Sequence, residues 1–326
     1  MSIFTLLFLF FLIIVFYYLF RTFFSSPKMQ VTYFAATISL LSTVIADATS
    51  PLSWCGIGAP SEQTLKDLDT VRATEIAARR SPWVRQQTIE VPIHMHGVLD
   101  PDADPESISG ERMKAQFDVM NEAYAPYGIQ FTLATMDVVN DTTLANFNTT
   151  AFFEDKEADA YRSSYLQTTR KGGYNELNIW FYSDMQDGLN GLCTLPQANF
   201  QDADLWNDGC HVVAGTMPGG DREGYNVGFT AVHETGHWLG LLHPWGDSTG
   251  NCDGDGDKVN DTPAQSEPVF GCPKTPQNSC PGQKGVDNAD NYMDYADDTC
   301  YDSQKFTLGQ EIRMHSSYTQ LRSVVS

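Results

Sequence analysis

The run His-Glu-Thr-Gly-His-Trp-Leu-Gly-Leu-Leu-His, at positions 233–243, restricts the fold of this chain more than any other feature of its sequence. Residues four apart lie on one face of a helix, so His233 and His237 can present their imidazoles to a common point. Gly240 lacks a Cβ and can end that helix in a left-handed turn, which lets the chain return His243 to the same point. The sequence therefore predicts a helix and a tight turn that bring three imidazoles together.

Three imidazoles that meet in this way are typical of a catalytic zinc site. Three neutral nitrogens leave the fourth position of a tetrahedral zinc ion open to water, whereas a structural site has four protein ligands. Glu234 lies one step round the helix from His233, near enough to act as general base on that water. The alternative is a core helix with incidental histidines, and the five specified positions should coincide by chance in only about one in 10⁴ to 10⁵ sequences of this length.

Charge and cysteine content indicate the compartment in which the chain works. Its net charge of -21 disfavours nucleic acids and anionic membranes as partners, because both are bound through basic residues. Four of the 7 cysteines fall in the last third, in loops of the kind that disulfides hold together. Sequons at Asn140 and Asn148 also favour a secreted, extracellular glycoprotein. The alternative is a cytosolic protein with scattered buried thiols.

The N-terminus contains two apolar runs. Ile3–Phe20 is uncharged and just long enough to span a bilayer, whereas the shorter run Val31–Ile45 is followed by a small-x-small cleavage pattern ending at Ala48. As an anchor, the first run would have basic residues on its C-terminal side and would hold the rest of the chain in the cytosol, against the cysteines and sequons. We therefore interpret 1–28 as an apolar extension, from an over-extended gene start or an anchor, and 29–48 as a signal peptide.

We interpret 49–88, which mixes Pro, Gly and charged residues, as a pro-segment or N-terminal region, and 89–326, where regular apolar patterns begin, as the catalytic domain. Alternating or continuous apolar runs predict strands, and apolar residues at helical spacing predict helices. The predicted strands are Ile89–Met95, Ile129–Leu133 and Leu177–Phe181, and the predicted helices are Met113–Tyr124, Ala231–Leu242 and one that begins at a capping box of Thr307 and Gln310. Strands that alternate with helices, followed by loops, indicate an α/β domain with an irregular C-terminal part.

The histidine run is similar to the signature of the metzincins, which also have a methionine-containing turn downstream. The segment Asn291–Tyr295 supplies a candidate for that turn. Met293 would lie under the histidines as a soft apolar floor rather than as a ligand. Tyr295 could reach the metal and stabilise an oxyanion. A buried structural tyrosine is the alternative for Tyr295.

Further motifs resemble the pappalysin family of metzincins, and its fungal extracellular branch in particular. The order of the motifs carries the resemblance, which covers roughly residues 90–320: Leu177–Phe181, Thr216–Gly220, Gly228–Thr230, Asp261–Ala264, Asn291–Tyr295 and Phe306–Gln310. The resemblance implies a metzincin-type fold (α/β, or α+β) of two subdomains, with a twisted, mostly parallel sheet and helices, and an irregular C-terminal subdomain stapled by disulfides. It also implies endopeptidase activity, with one Zn²⁺ on His233, His237 and His243.

The same resemblance implies cross-links and a second ion. The disulfides would be Cys252–Cys280 and Cys272–Cys300, with Cys193–Cys210 as a local third bridge. A Ca²⁺ site would lie in the acidic loop at Asp255, Asp257 and Thr262, for which a solvated acidic turn is the alternative.

Cys55 is left over from these three pairs. A thiolate is a better zinc ligand than water, so Cys55 could occupy the open position in a precursor, as the cysteine switch of other metzincins does. A kexin-type cut after Arg79-Arg80 would then remove residues 49–80 and leave six cysteines. The alternative is an ordinary free or intermolecular thiol.

We therefore predict a secreted zinc endopeptidase that acts on proteins or peptides, with Glu234 as the base and the strand Leu177–Phe181 as a rim on which substrate could pair. Two alternatives stay open. One is a catalytically silent zinc-binding effector, against which the intact Glu234 argues. The other is a membrane-tethered sheddase that uses Ile3–Phe20 as its anchor. The sequence does not determine the oligomeric state.

Overall fold

The computed structural model describes residues 55–56, 60–78, 88–148, 160–246, 250, 252–300 and 304–323. The apolar extension 1–28, the signal peptide 29–48 and the pair Arg79-Arg80 lie outside these residues. No helix among the described residues is long and apolar enough to span a membrane.

The strands form one main sheet and one small pair. They are β1 (Ile89–Leu99), β2 (Ile129–Asn140), β3 (Asn146–Phe147), β4 (Leu177–Tyr182), β5 (Asp184–Met185), β6 (Gly191–Cys193) and β7 (Cys210–Val213). The main sheet has the order β2-β1-β4-β7-β6, and β3 pairs with β5. All neighbours in the main sheet are parallel except β6, which runs antiparallel to β7. The predicted mostly parallel sheet is confirmed.

The position of β4 corrects one expectation. Every residue of β4 is buried, and β4 pairs with β1 along one side and with β7 along the other. The prediction that Leu177–Phe181 forms a substrate rim is therefore wrong, since a strand paired on both sides has no backbone groups left for a substrate. A continuous apolar run indicates burial on both faces but not lateral position in the sheet. The edge strand on this side of the sheet is β6.

Helices cover both faces of the sheet. They are α1 (Glu62–Ala78), α2 (Gly110–Tyr124), α3 (Thr142–Ala145), α4 (Ala160–Thr169), α5 (Phe229–Trp238) and α6 (Leu308–Ser317), which continues as a π-helical turn over Tyr318–Arg322. Met120 of α2 and Val232 of α5 belong to the main core, whereas Leu166 of α4 packs in a second cluster with Trp180 of β4. The capping box of Thr307 and Gln310 is confirmed at the start of α6.

Helix α1 lies within the region 49–88, where the sequence predicted no element. It contacts α6 and belongs to the same compact unit, Ser53–Ser326, as the sheet. Leu68 and Val71 of α1 are fully buried. The division of the chain into 49–88 and 89–326 stays a prediction.

The region between α5 and α6 is held by cross-links rather than by secondary structure. Its described residues contain no helix or strand, only isolated bridges such as Gly271–Ala296. The disulfides Cys252–Cys280 and Cys272–Cys300 overlap in sequence and enclose a small apolar cluster, and Cys193–Cys210 joins β6 to β7. These are the pairs that the family resemblance implies.

His211 of β7 is buried in a stack of aromatic rings. Its ring lies 5.0 Å from the ring of Trp180 and 4.8 Å from that of Phe147, and its Nδ1 is 2.9 Å from the hydroxyl of Tyr182. Burial, with a smaller contribution from Arg162, lowers the pKa of His211 to about 3. The folded protein therefore keeps this imidazole neutral.

We expect His211 to destabilise the fold in acid. Its pKa in the unfolded chain is about 6.5, so below that pH the unfolded chain binds a proton that the folded chain does not, and the free energy of unfolding falls as pH drops toward about 3. His211→Phe keeps a ring in the stack and removes this titration. Urea unfolding should show the variant losing less stability than the parent between about pH 7 and 4.5, by on the order of 2 kcal/mol. Equal losses would contradict the assignment.

Candidate active site

A left-handed turn after α5 brings the third histidine of the run back to the first two. Gly240 has φ 90°, and Leu241 N donates to the carbonyl oxygen of Gly236 at 2.9 Å. A Cβ on Gly240 would lie 2.4 Å from Ser317 Oγ. The turn therefore requires glycine for its backbone conformation and for the close approach of α6, and it carries His243 to the helix.

The three imidazoles converge through their Nε2 atoms. These atoms are 3.0 Å apart for His233 and His237, 3.2 Å for His237 and His243, and 3.3 Å for His233 and His243. His233 Nδ1 lies 2.7 Å from the carbonyl oxygen of Tyr292, and His237 Nδ1 lies 2.8 Å from that of Leu241. A carbonyl oxygen only accepts, so each Nδ1 carries the hydrogen and each Nε2 directs its lone pair at the common point.

The donor set fits a zinc ion. Burial lowers the pKa of His237 to about 4 and the pKa values of His233 and His243 well below 6.5, so all three rings are neutral. Zinc ligand nitrogens lie about 2.0–2.1 Å from the metal, and hence about 3.3 Å from one another in a tetrahedral site. The observed separations are close to this value. Three neutral nitrogens and an open fourth position suit a catalytic rather than a structural zinc.

Glu234 is buried beside the histidines. Burial raises the pKa of its carboxyl to about 8, and a hydrogen bond from Cys55 partly offsets this rise. Its Oε1 has no hydrogen-bond partner among the described residues. The edge strand β6 passes close to it, and a Cβ on Gly191 would lie 2.7 Å from Glu234 Cγ. A buried carboxylate oxygen of this kind suits a group that takes up a proton.

The turn at Asn291–Tyr295 lies under and beside the histidines. Met293 is fully buried, and its Sδ would be 2.5 Å from a Cβ on Gly236, so its side chain packs against the glycine face of α5. The Tyr295 hydroxyl is 2.9 Å from His243 Nε2. Burial, followed by the nearby Cys55 and Glu234, raises the pKa of Tyr295 well above 10, so the phenol keeps its proton.

Cys55 reaches the histidine cluster from the N-terminal segment. Its Sγ lies 3.5 Å from His237 Nε2 and 3.6 Å from Glu234 Oε2, and its side chain is buried. Cys55 and the three histidines have ligand atoms that all lie within 4.8 Å of one another. The backbone bonds to β6, where Gly56 N donates to the carbonyl oxygen of Gly191 at 2.9 Å.

The residues expected to bind calcium do not form such a cluster. Asp255 lies 3.7 Å from the guanidinium of Arg72 in α1, whereas Asp257 is buried and accepts from Val259 N at 2.9 Å. Within the described part of the chain, these carboxylates are in no group of three metal-binding side chains. Cys272 and Cys300 do form such a group with Asp297, but the two thiols are joined in a disulfide. The arrangement of these side chains therefore does not support a calcium site.

His94 and His96 on β1 have packing roles. His94 lies 2.9 Å from a carboxylate oxygen of Glu176, and His96 lies 3.1 Å from one of Asp137. The bond with His96 is the largest influence on Asp137, whose pKa it lowers. Both histidines are therefore held by carboxylates of neighbouring segments, away from the histidine cluster.

Sequence reasoning missed two residues of the site. Trp245 stacks on His243, with ring centroids 4.6 Å apart and planes at 11°. Its place two residues after the third histidine is a signal that could have been used. Gly191 was missed because β6 is too short to show a periodic pattern.

Comparisons with known proteins identify the family that this chain resembles. A family model described as pregnancy-associated plasma protein-A, of peptidase family M43, matches residues 161–319. An extracellular metalloprotease of Pyricularia oryzae is 38% identical over 285 residues, which cover 86% of this chain and 94% of that protein. Another from Sordaria macrospora is 38% identical over 279 residues, which cover 83% and 90%.

Two solved structures extend the likeness to three dimensions. Mature mirolysin of Tannerella forsythia, in complex with a cleaved peptide, has a TM-score of 0.58 and 26% identity, with 73% of this chain and 96% of that chain covered. A promirolysin mutant has a TM-score of 0.61 and 25% identity, with 82% and 94% covered. These neighbours confirm the predicted fold class.

We expect Gly191→Ala to impair hydrolysis by displacing Glu234. The added Cβ would lie 2.7 Å from Glu234 Cγ, closer than any real contact, so the carboxylate must move. Misplacement of a catalytic group by about 1 Å can lower the rate by about 10²-fold, and kcat/KM on casein should fall by about 10- to 100-fold. Gly282→Ala, where a Cβ meets nothing within 4 Å, is the matched control. Equal activity of the two variants would refute the positional argument.

Proposed function

We propose that this chain, which belongs to the pappalysin family of metallopeptidases, is a secreted endopeptidase that hydrolyses peptide bonds in proteins with one catalytic zinc ion. The observation that carries the proposal is the convergence of three neutral Nε2 atoms, 3.0 to 3.3 Å apart, beside a buried glutamate. Relatives named extracellular metalloproteases and three disulfides support secretion. A mirolysin structure with a cleaved peptide supports peptide substrates.

His233, His237 and His243 would hold the zinc, which when bound supplies Lewis acidity for the scissile carbonyl and the attacking water. Glu234 takes a proton from that water as general base, and a cation beside it favours the ionised carboxylate that this step needs. It then delivers the proton to the leaving amine nitrogen.

Tyr295 has the properties of an oxyanion donor. Its pKa, raised well above 10, keeps a hydrogen on the phenol oxygen throughout the working pH range. That oxygen lies 2.9 Å from His243 Nε2, at the rim of the histidine cluster. A donor so placed can stabilise the negative charge that develops on the carbonyl oxygen. Met293 acts beneath as an apolar support.

Substrate would bind along the edge of the sheet at β6 rather than at β4. The carbonyl oxygen of Gly191 already accepts a backbone hydrogen bond from Gly56 on this edge. An extended peptide could add there as a further strand, since main-chain bonds bind a peptide regardless of its side chains. The scissile bond would then pass close to Glu234.

Replacing Glu234 with Gln should lower turnover by orders of magnitude but keep the metal. The amide preserves the shape of the side chain and cannot act as base, and positioned bases contribute about 10² to 10⁴ in rate. The rate of casein hydrolysis should therefore fall by a factor in that range, while metal analysis should still find about one zinc per chain. A Gln variant that cleaves casein at a rate comparable to the parent would exclude this mechanism.

The same site also supports latency. Cys55 Sγ lies 3.5 Å from His237 Nε2, close to the position that the three nitrogens leave open. A thiolate there would compete with water for zinc. Hydrolysis after Arg80 would sever residues 49–80, which include Cys55, from the rest of the chain.

Latency predicts that Cys55→Ala raises the activity of the uncut precursor. The test uses a background in which Arg79 and Arg80 are both replaced by Ala, so that the precursor stays intact. If the thiol occupies the site in about nine of ten molecules, its removal should raise activity about tenfold. Unchanged activity, or processed protein from culture that still begins at Thr49, would rule out the switch.

A further inference from the structure

Helix α1 follows Cys55 in the chain and packs by one face against the body of the protein. It begins after Ser61, whose Oγ accepts from Thr64 N at 3.0 Å. On the face that packs against the body, Leu68 and Val71 are fully buried. On its other face, Glu62 and Lys66 pair with each other at 2.7 Å and keep 85% and 63% of their side chains exposed. One face of the helix is therefore buried against the body of the protein, and the other is exposed.

A buried ion pair lies at the centre of this contact. Arg313 of α6 donates from Nε to one carboxylate oxygen of Glu75 in α1 and from Nη2 to the other. The side chain of Arg313 is 0% exposed and that of Glu75 is 6% exposed. Arg313 also donates to the carbonyl oxygen of Lys258 at 3.0 Å. Removing one partner of such a pair leaves a buried charge without its counterion, which is strongly unfavourable.

Two more carboxylates of α1 meet donors on the body. Asp67 accepts from Ala198 N at 2.9 Å, and Asp69 pairs with the ammonium of Lys258 at 2.7 Å. Gln320 adds a bond to Thr74 Oγ1 at 2.7 Å. In a chain with a net charge of -21, this is a local concentration of donors that faces an acidic helix.

We infer that Ala198, Lys258, Arg313 and Gln320 form a binding surface, here termed the pro-helix surface, which retains the segment 49–80 after the bond following Arg80 is hydrolysed. The inference rests on the proposed latency. Within the segment, the contacts that carry it involve only residues 67–75, so cutting after Arg80 breaks none of them. The nicked protein is then a non-covalent complex that keeps Cys55 near the histidines, and full activation needs a second event that removes α1.

The test nicks the secreted full-length protein with a kexin-type protease and follows the two pieces by native mass spectrometry. We expect the segment to stay bound to the body, both in the parent and in a Cys55→Ala form. Glu75→Gln should weaken retention by at least about a hundredfold, because it removes the carboxylate with which the buried Arg313 pairs across the contact. Glu62→Gln, the same change on the exposed face of the same helix, should leave retention unaltered.

Asp69→Asn gives a second variant if Glu75→Gln is poorly secreted, and it should weaken retention by only about two- to fivefold, since its pair is partly exposed. Dissociation of the nicked parent at micromolar concentration, or equal retention by the Glu75 and Glu62 variants, would overturn the inference. Activity measurements distinguish failure of this inference from failure of the latency proposal. A nicked parent that retains the segment and is fully active would support the pro-helix surface and reject the cysteine switch. A precursor that is latent before the cut but loses the segment after it would support the switch and reject the surface.

Discussion

Two hydrogen bonds decide which way the metal-facing nitrogens point, and most of the structure is arranged to supply them. His233 Nδ1 donates to the carbonyl oxygen of Tyr292, and His237 Nδ1 donates to that of Leu241. Tyr292 belongs to the turn of the disulfide-linked region, and Leu241 to the turn that follows Gly240. Both turns must therefore form before the rings share one point. The irregular C-terminal region, which has little core of its own, is in this sense part of the site.

Local sequence patterns predicted the site more completely than they predicted the order of strands in the sheet. The spacing at 233–243 specifies a face and a turn, and both depend only on neighbouring residues. The lateral order of strands depends on the crossover connections between them. The apolar pattern of Leu177–Tyr182 therefore predicts a buried strand but not its central position in the sheet. Gly191–Cys193 is too short to show any periodic pattern. Helix α1 had a local signal in the cap at Ser61 and the apolar residues of its buried face, but no element was predicted in 49–88 because Pro, Gly and charged residues are mixed there.

A buried arginine joins the carboxyl end of α5 to the C-terminal segment. Arg322 donates from Nε to the carbonyl oxygen of Trp238 at 2.6 Å, and its guanidinium lies 3.8 Å from the centre of the Trp238 ring. Asp208 accepts from Arg322 at 3.1 Å and from the Trp238 indole at 3.2 Å. A cation at the carboxyl end of a helix is stabilised by the helix dipole and by the unpaired carbonyls there. The last described turn of the chain thus fixes the helix that carries His237.

Gly191 is the point at which the sheet, the base and the N-terminal segment meet. It pairs with Val212 on its inner side and accepts from Gly56 on its outer side, and it leaves room for Glu234 because it has no side chain. Residues 55–56 therefore occupy the strand edge through backbone bonds and approach the histidines through the Cys55 thiol. Only the second of these contacts is lost when Cys55 becomes alanine. Any activity that such a precursor still lacks, relative to fully processed enzyme, measures what the strand pairing and the pro-helix surface contribute on their own.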